Sequence, residues 1–163
     1  MAKLQDCQFI EIKIDNKVIS GSSEEQKYNK WMEGYSSGAL RTYSGPDGTH
    51  FDGVPVSILV TKDTSSFYEH YLKRGYKTMT ITIVERASDN LGADYELQRT
   101  VYSECKITSL SIAKHSQLNQ LFMDFDFVFE GMVEVTFNVP NAKSDGLDKI
   151  GPVKYSIAEK TLK

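Results

Sequence analysis

Between Asp63 and His70 the chain gathers Asp63, Ser65, Ser66, Glu69 and His70 into a short stretch, VTKDTSSFYEHYLKRG. A serine hydroxyl, an imidazole and a carboxylate in hydrogen-bonded series activate a serine nucleophile when an oxyanion hole lies beside them. Ser66 and His70 fall one turn apart on a helix, so their side chains could approach. No GxSxG elbow is present to lift the serine out of a strand-to-helix turn. The same residues also have purely local roles. Ser66 is a good N-cap, and Glu69 three positions on completes a capping box. Lys73 and Arg74 fall in the last turn, where cations favour the helix dipole, and Gly75 sits where a left-handed C-cap residue belongs. The local reading is preferred: a short helix over about 66–74, with Phe67 and Tyr71, and Tyr68 and Leu72, each four apart, giving an apolar side that packs on the rest of the protein.

The other chemically capable residues point less far. His50 and His115 stand alone in polar segments. Asp124 and Asp126, two apart on one strand face, have the spacing of an acid/base pair, but their alternation with phenylalanines makes them an outward wet face. Cys7 and Cys105 lack a CxxC partner or a histidine pair, so both read as reduced, small apolar strand residues with no metal. The glycines of SGPDGTHFDG follow no phosphate-binding pattern. Trp31, the single tryptophan, reads as a core anchor. No catalytic residue, cofactor or metal is expected.

Positioning these residues is a chain of 163 amino acids, a length at which one domain buries roughly 70% of its unfolded surface. With 19 Lys+Arg against 22 Asp+Glu there is no basic field for nucleic acid. No span approaches the roughly 20 apolar residues of a membrane helix. The opening MAKLQDCQFIEIKIDNK alternates like a strand instead of forming a leader, so the expectation is a cytoplasmic product that would leave without a cleaved signal.

Period-two alternation dominates and predicts a mainly β protein. Strands are expected at Cys7 to Ile14, from Trp31 through Tyr35, at Val54 to Val60, and around Met79 to Ile83. Others follow around Tyr95 to Val101 and at Ile107 to Ile112. Residues Asp15 to Asn29 read as a polar loop, and Leu40 to Gly53 as a long protruding loop punctuated by glycine and proline. In LFMDFDFVFEGMVEVTFNV, Leu121, Met123, Phe125, Phe127, Phe129, Val133, Val135, Phe137 and Val139 share one parity. A one-residue slip would expose every phenylalanine, so this strand, or strand pair bent at Gly131, is firmly specified as the wall of a barrel or sandwich. NAKSDGLDKIG reads as a loop, and VKYSIAEKTLK as a last short strand. The fold class is thus a β-barrel or two-sheet sandwich with one short helix on its side, as a single domain over 1–163.

Several segments, in order, resemble the Hcp family, the tube protein of bacterial type VI secretion. GSSEEQKYNKWME, Gly21 to Glu33, is similar to the family's "G-E-S, polar, K-G-W-I-E-V", with Lys30, Trp31, Met32 and Glu33 in the matching places. Val60, Thr61 and Lys62, then Ser65 and Ser66, then a helix closed by glycine resemble the family's "V-T-K", "D-x-x-S" and helix. Phe129, Met132 and Phe137, followed by GPVKYSIAEK, resemble its late strand and tail. The resemblance covers roughly residues 7 to 160 and departs at Gly34 and Tyr35 and over GADYELQRTVYSEC.

The resemblance implies a two-sheet barrel, six copies in a ring, and rings stacked into a tube. A sheath drives that tube out of the cell with its spike, and the lumen carries or protects effectors. It also implies that the Leu40 to Gly53 loop projects from the ring plane, with Arg41, Tyr43, Asp47 and His50 as stacking contacts. Two other readings stay open: a monomeric barrel holding a small apolar ligand among its phenylalanines, and a small hydrolase using Ser66 and His70.

Overall fold

An alternating strand buries one face and wets the other, and the core-forming strands of this chain are built this way. The computed structural model describes residues 8–36, 41–74, 78–88, 94–114, 119–143 and 146–163. Its strands are β1 (Gln8–Ile14), β2 (Lys17–Val18), β3 (Met32–Tyr35), β4 (Thr42–Gly45), β5 (Gly48–Phe51), β6 (Val54–Leu59) and β7 (Met79–Ser88). They continue as β8 (Asp94–Tyr102), β9 (Cys105–Lys114), β10 (Leu121–Phe129), β11 (Met132–Pro140), β12 (Leu147–Ser156) and β13 (Thr161–Leu162). Among the described residues one α-helix forms, α1 (Ser65–Leu72), which follows a 3₁₀ turn at Lys62–Thr64.

The main sheet runs in the order β13, β12, β11, β8, β7, β1, β3, β6, β10, β9, with β2 added to β1, while β4 and β5 pair only with each other. Tyr102 of β8 lies 5.1 Å from the ring of Phe127 and 4.8 Å from that of Phe129, both on β10. Those strands are far apart in the sheet order, so the sheet must curl to bring its inner faces together. Inside lie Ile10, Ile12, Met32, Ile58, Ile81, Met123 and Phe127, all under 2% exposed. Each such side chain contributes about 1.5–3 kcal/mol by leaving water. The expected class, mainly β and barrel-like with one helix packed on it, is what forms.

The long phenylalanine run is two strands, separated at Gly131 as expected. They do not pair: β10 lies between β6 and β9, and β11 between β8 and β12. The chain crosses between them at a tight point, where a Cβ on Gly131 would stand 2.4 Å from Ser103 Oγ. Ser103 Oγ accepts from the Met132 amide at 2.7 Å and so ties the crossing to the end of β8.

Several expectations need correction. Leu40 to Gly53 is not an irregular loop; its described part carries the β4–β5 hairpin. The segment expected as a loop before a short final strand contains the first half of β12, which runs ten residues along β11. The polar loop from Asp15 to Asn29 contains β2 and buries Ile19, Ser23 and Tyr28.

The helix begins before Ser66. The 3₁₀ turn runs straight into it, so Thr64 is the N-cap residue and makes no side-chain cap bond. Its Oγ1 instead donates to the Thr61 carbonyl at 2.6 Å. Ser66 and Glu69 therefore sit inside the helix and do not form the capping box. Lys73 is the C-cap, and Arg74 takes the left-handed conformation with φ of 61°. Gly75, like Cys7 and His115, lies outside the described residues. The buried face is also narrower than expected: Phe67, 4.7 Å from the Phe125 ring, and His70 go inward, while Tyr68 and Leu72 remain exposed.

A second, smaller cluster on the outside of the sheet explains why residues 19–31 stay in place. Phe9 stacks on Tyr28 at 4.5 Å, Tyr28 meets Trp31 edge-on at 5.2 Å, and the Arg86 guanidinium lies 4.6 Å over Phe9. Trp31 thus anchors this cluster and not the main core. Glu96 is its polar centre. It accepts from Arg99 Nη2 at 2.7 Å, Arg99 Nε at 3.0 Å and the Tyr28 hydroxyl at 2.7 Å. The Arg99 bonds, with help from the Tyr28 hydroxyl, outweigh burial and hold the Glu96 carboxyl down at about 2. Burial and the bond to Glu96 push the Tyr28 phenol up.

Candidate assembly site

Arg41, Tyr43, Asp47 and His50 all belong to one element that takes no part in the main sheet. Thr42 pairs with Phe51, Tyr43 with His50, Ser44 with Thr49 and Gly45 with Gly48, leaving Pro46 and Asp47 as a two-residue turn. Proline presets the turn's first dihedral, and Gly48 adopts φ of 118°, which other residues rarely reach. The hairpin brings Tyr43 and His50 together, stacked at 5.1 Å with planes 19° apart, and Tyr43 stays 57% exposed. Asp47 is at the exposed tip. Arg41 is not beside the other three but at the base, where its Nε lies 3.8 Å from Asp52 Oδ2 and its carbonyl accepts from the Asp52 amide at 2.9 Å.

What holds the hairpin to the barrel is Phe51, a residue the sequence analysis did not single out. Its ring lies 5.3 Å from Phe129 and 5.4 Å from Tyr155, so the last residue of β5 packs against the barrel core. The signal was available: GPDG is a turn sequence, and TYS and THF on either side are short β-prone runs.

The chemistry-bearing residues elsewhere fall into two places. Asp63, Ser66, Glu69 and His70 line one groove of about 430 Å³ between α1 and the β1–β2 turn. Ser66 lies in the first turn of a regular helix there, not on an exposed elbow. Asp124 and Asp126 are half-buried on a face of β10, not fully wet as expected, because serines of neighbouring strands bond them. Ser57 Oγ donates to Asp124, and Ser109 Oγ to Asp126 at 2.9 Å. Burial pushes the Cys105 thiol up to about 12, as befits a small apolar strand residue. Among the described residues no cluster of three or more His, Cys, Asp or Glu is placed to hold a metal, and no helix is long and apolar enough to cross a membrane.

No protein-family model and no curated protein sequence matches this chain. Solved structures do match it, almost end to end. The Hcp1 protein from E. coli EAEC 042 superposes with a TM-score of 0.71 over 94% of this chain and 99% of its own, at 12% identity. The chain has the Hcp fold. A structure described as a type six secretion system protein gives a TM-score of 0.69 over 95% and 99%, at 15% identity. The secreted protein Hcp3 from Pseudomonas aeruginosa gives 0.60 over 96% and 95%, at 9% identity. At such identity few side chains are shared, so what these matches establish is the fold.

Proposed function

We propose that this chain, one domain over 1–163, is a structural, non-catalytic subunit of a type VI secretion tube. In this reading, six copies close into a ring and rings stack into a tube. The tube is made in the cytoplasm and leaves through the machine with its spike, inside its sheath, carrying or protecting effectors. The observation that carries it is the end-to-end match to the Hcp fold, including a solved type six secretion system protein and a secreted one. The β4–β5 hairpin fits the stacking role, because it is built and anchored yet contributes no strand to the main sheet. The phenylalanines that a ligand-binding barrel would arrange around a cavity pack instead on one another and on Tyr102.

Light scattering tests the ring directly: the expected mass is six times the 18.4 kDa chain, with annular particles in negative stain. A strict monomer over a wide concentration range would sink the reading. Removing part of the Pro46 to Phe51 segment, with Phe51 kept, should leave rings but abolish their stacking; unchanged tubes would show that the hairpin is not the stacking element.

A further inference from the structure

Two apolar surfaces at opposite ends of the sheet order are left uncovered, and they differ in shape and charge. The first is on the β12–β13 end. Val153 pairs with Val135, Ile150 with Phe137 and Leu162 with Tyr155, so these three share the face that elsewhere makes the core. Yet Ile150 is 49% exposed, Val153 48% and Leu162 71%. Asp148, opposite Val139, continues the same face and is exposed. The sheet has run past the core, and its inner face ends in apolar knobs beside a carboxylate.

The second surface is on the α1–β9 end. A cleft of about 470 Å³ is lined by Tyr71, Leu72, Ile107 and Val128, with Arg74 and Lys106 exposed along it. Leu72 is 59% exposed, and Tyr68, one turn earlier on α1, 39%. This surface is concave and apolar with two cations along it, where the first is apolar with one carboxylate beside its knobs.

A closed ring of identical subunits needs two different, complementary patches on each copy, and isolated proteins seldom leave such patches uncovered without a partner. We infer that the exposed face of β12, with Ile150 and Val153 as knobs and Asp148 beside them, docks into the α1–β9 cleft of a second copy, setting Asp148 against Arg74 and Lys106. The inference rests on the ring reading and names the surfaces that would close it. Lys106 already holds Glu130 at 2.9 Å, so the incoming carboxylate shares that cation while meeting Arg74.

Cysteine cross-linking tests the pairing. In a Cys7→Ser background, Ile150→Cys with Leu72→Cys should give, on mild oxidation, a ladder of covalent oligomers ending at the ring. Ile150→Cys with Tyr35→Cys, an exposed position on a different strand, should not. Asp148→Lys should raise the concentration needed for assembly about tenfold or more, and Arg74→Asp with Lys106→Asp added to it should restore most of that loss. Particles of ring mass without the ladder, or charge-swapped chains no better than Asp148→Lys alone, would overturn the docking and leave the ring reading standing. Wild-type chains that stay monomeric at every concentration would overturn both.

Discussion

Replacing Glu96 by Gln tests whether the small outer cluster is what fixes residues 19–31. The carboxyl, ordinarily near 4.5, sits at about 2 because Arg99 bonds it twice and Tyr28 donates to it. At about 1.4 kcal/mol per pH unit, that difference is worth about 3 kcal/mol. Solvent reaches part of Arg99, which is 36% exposed, so about 2 kcal/mol is the figure to expect after screening. The sign follows from the depressed value. The ionised group stabilises the folded state fully above pH 4.5, and that contribution drains away as pH falls from 4.5 towards 2. Denaturant melts of wild type and Glu96→Gln, taken from pH 7 down to pH 2, should therefore differ by about 2 kcal/mol at neutral pH and converge at the acid end. Because the other carboxylates titrate in both proteins, the difference between the two curves isolates Glu96. A gap that stays constant with pH, or no gap at pH 7, would refute the argument and return the cluster to apolar stacking alone.

Two further outcomes follow from the packing. Phe51→Ala removes a half-buried ring that touches Phe129 and Tyr155, and should cost about 2 kcal/mol in a denaturant melt while weakening ring stacking more than ring formation. In a Cys7→Ser chain, Cys105 should resist thiol reagents at pH 8 and react only at the rate of unfolding, since it is buried at 2% exposure with its thiol raised to about 12. Rapid labelling of the folded protein would show that β9 opens locally.

Legibility in the sequence tracked how directly burial wrote itself into alternation. Met79, Ile81 and Ile83, or Phe125, Phe127 and Phe129, each declare a face by period two, and their strands form where expected. Gly131 stood out because a glycine inside such a run has few other uses than a close approach, and Ser103 supplies it. The failures have equally local causes. Tyr28 is 1% exposed, but it is surrounded in sequence by Glu25, Gln26, Lys27, Asn29 and Lys30, and the residues that bury and bond it, Phe9 and Glu96, lie far along the chain. The helix start was misplaced because a serine and a glutamate three apart satisfy the capping rule in sequence. The 3₁₀ turn at Lys62–Thr64 was already feeding the helix and left them no cap to make. β12 was hidden because its first residues, Leu147 to Gly151, do not alternate between a core and water.

That last failure bears on function. A strand whose inner face ends in air cannot show the alternation of a strand packed on its own core, since half of its pattern answers to something outside the chain. The same holds for β4 and β5, which are four residues each and rest on the barrel through Phe51 alone among the ring contacts at their base. It holds again for α1, where Tyr68 and Leu72 form a row one turn apart that the barrel does not cover. In each place, sequence analysis assigned too little structure or the wrong buried face, and in each the side chains left over are those proposed to meet another copy. The proposed tube reading accounts for this: the residues that make the barrel are legible from one chain, while those assigned to contacts between copies would become intelligible only when two copies are set side by side.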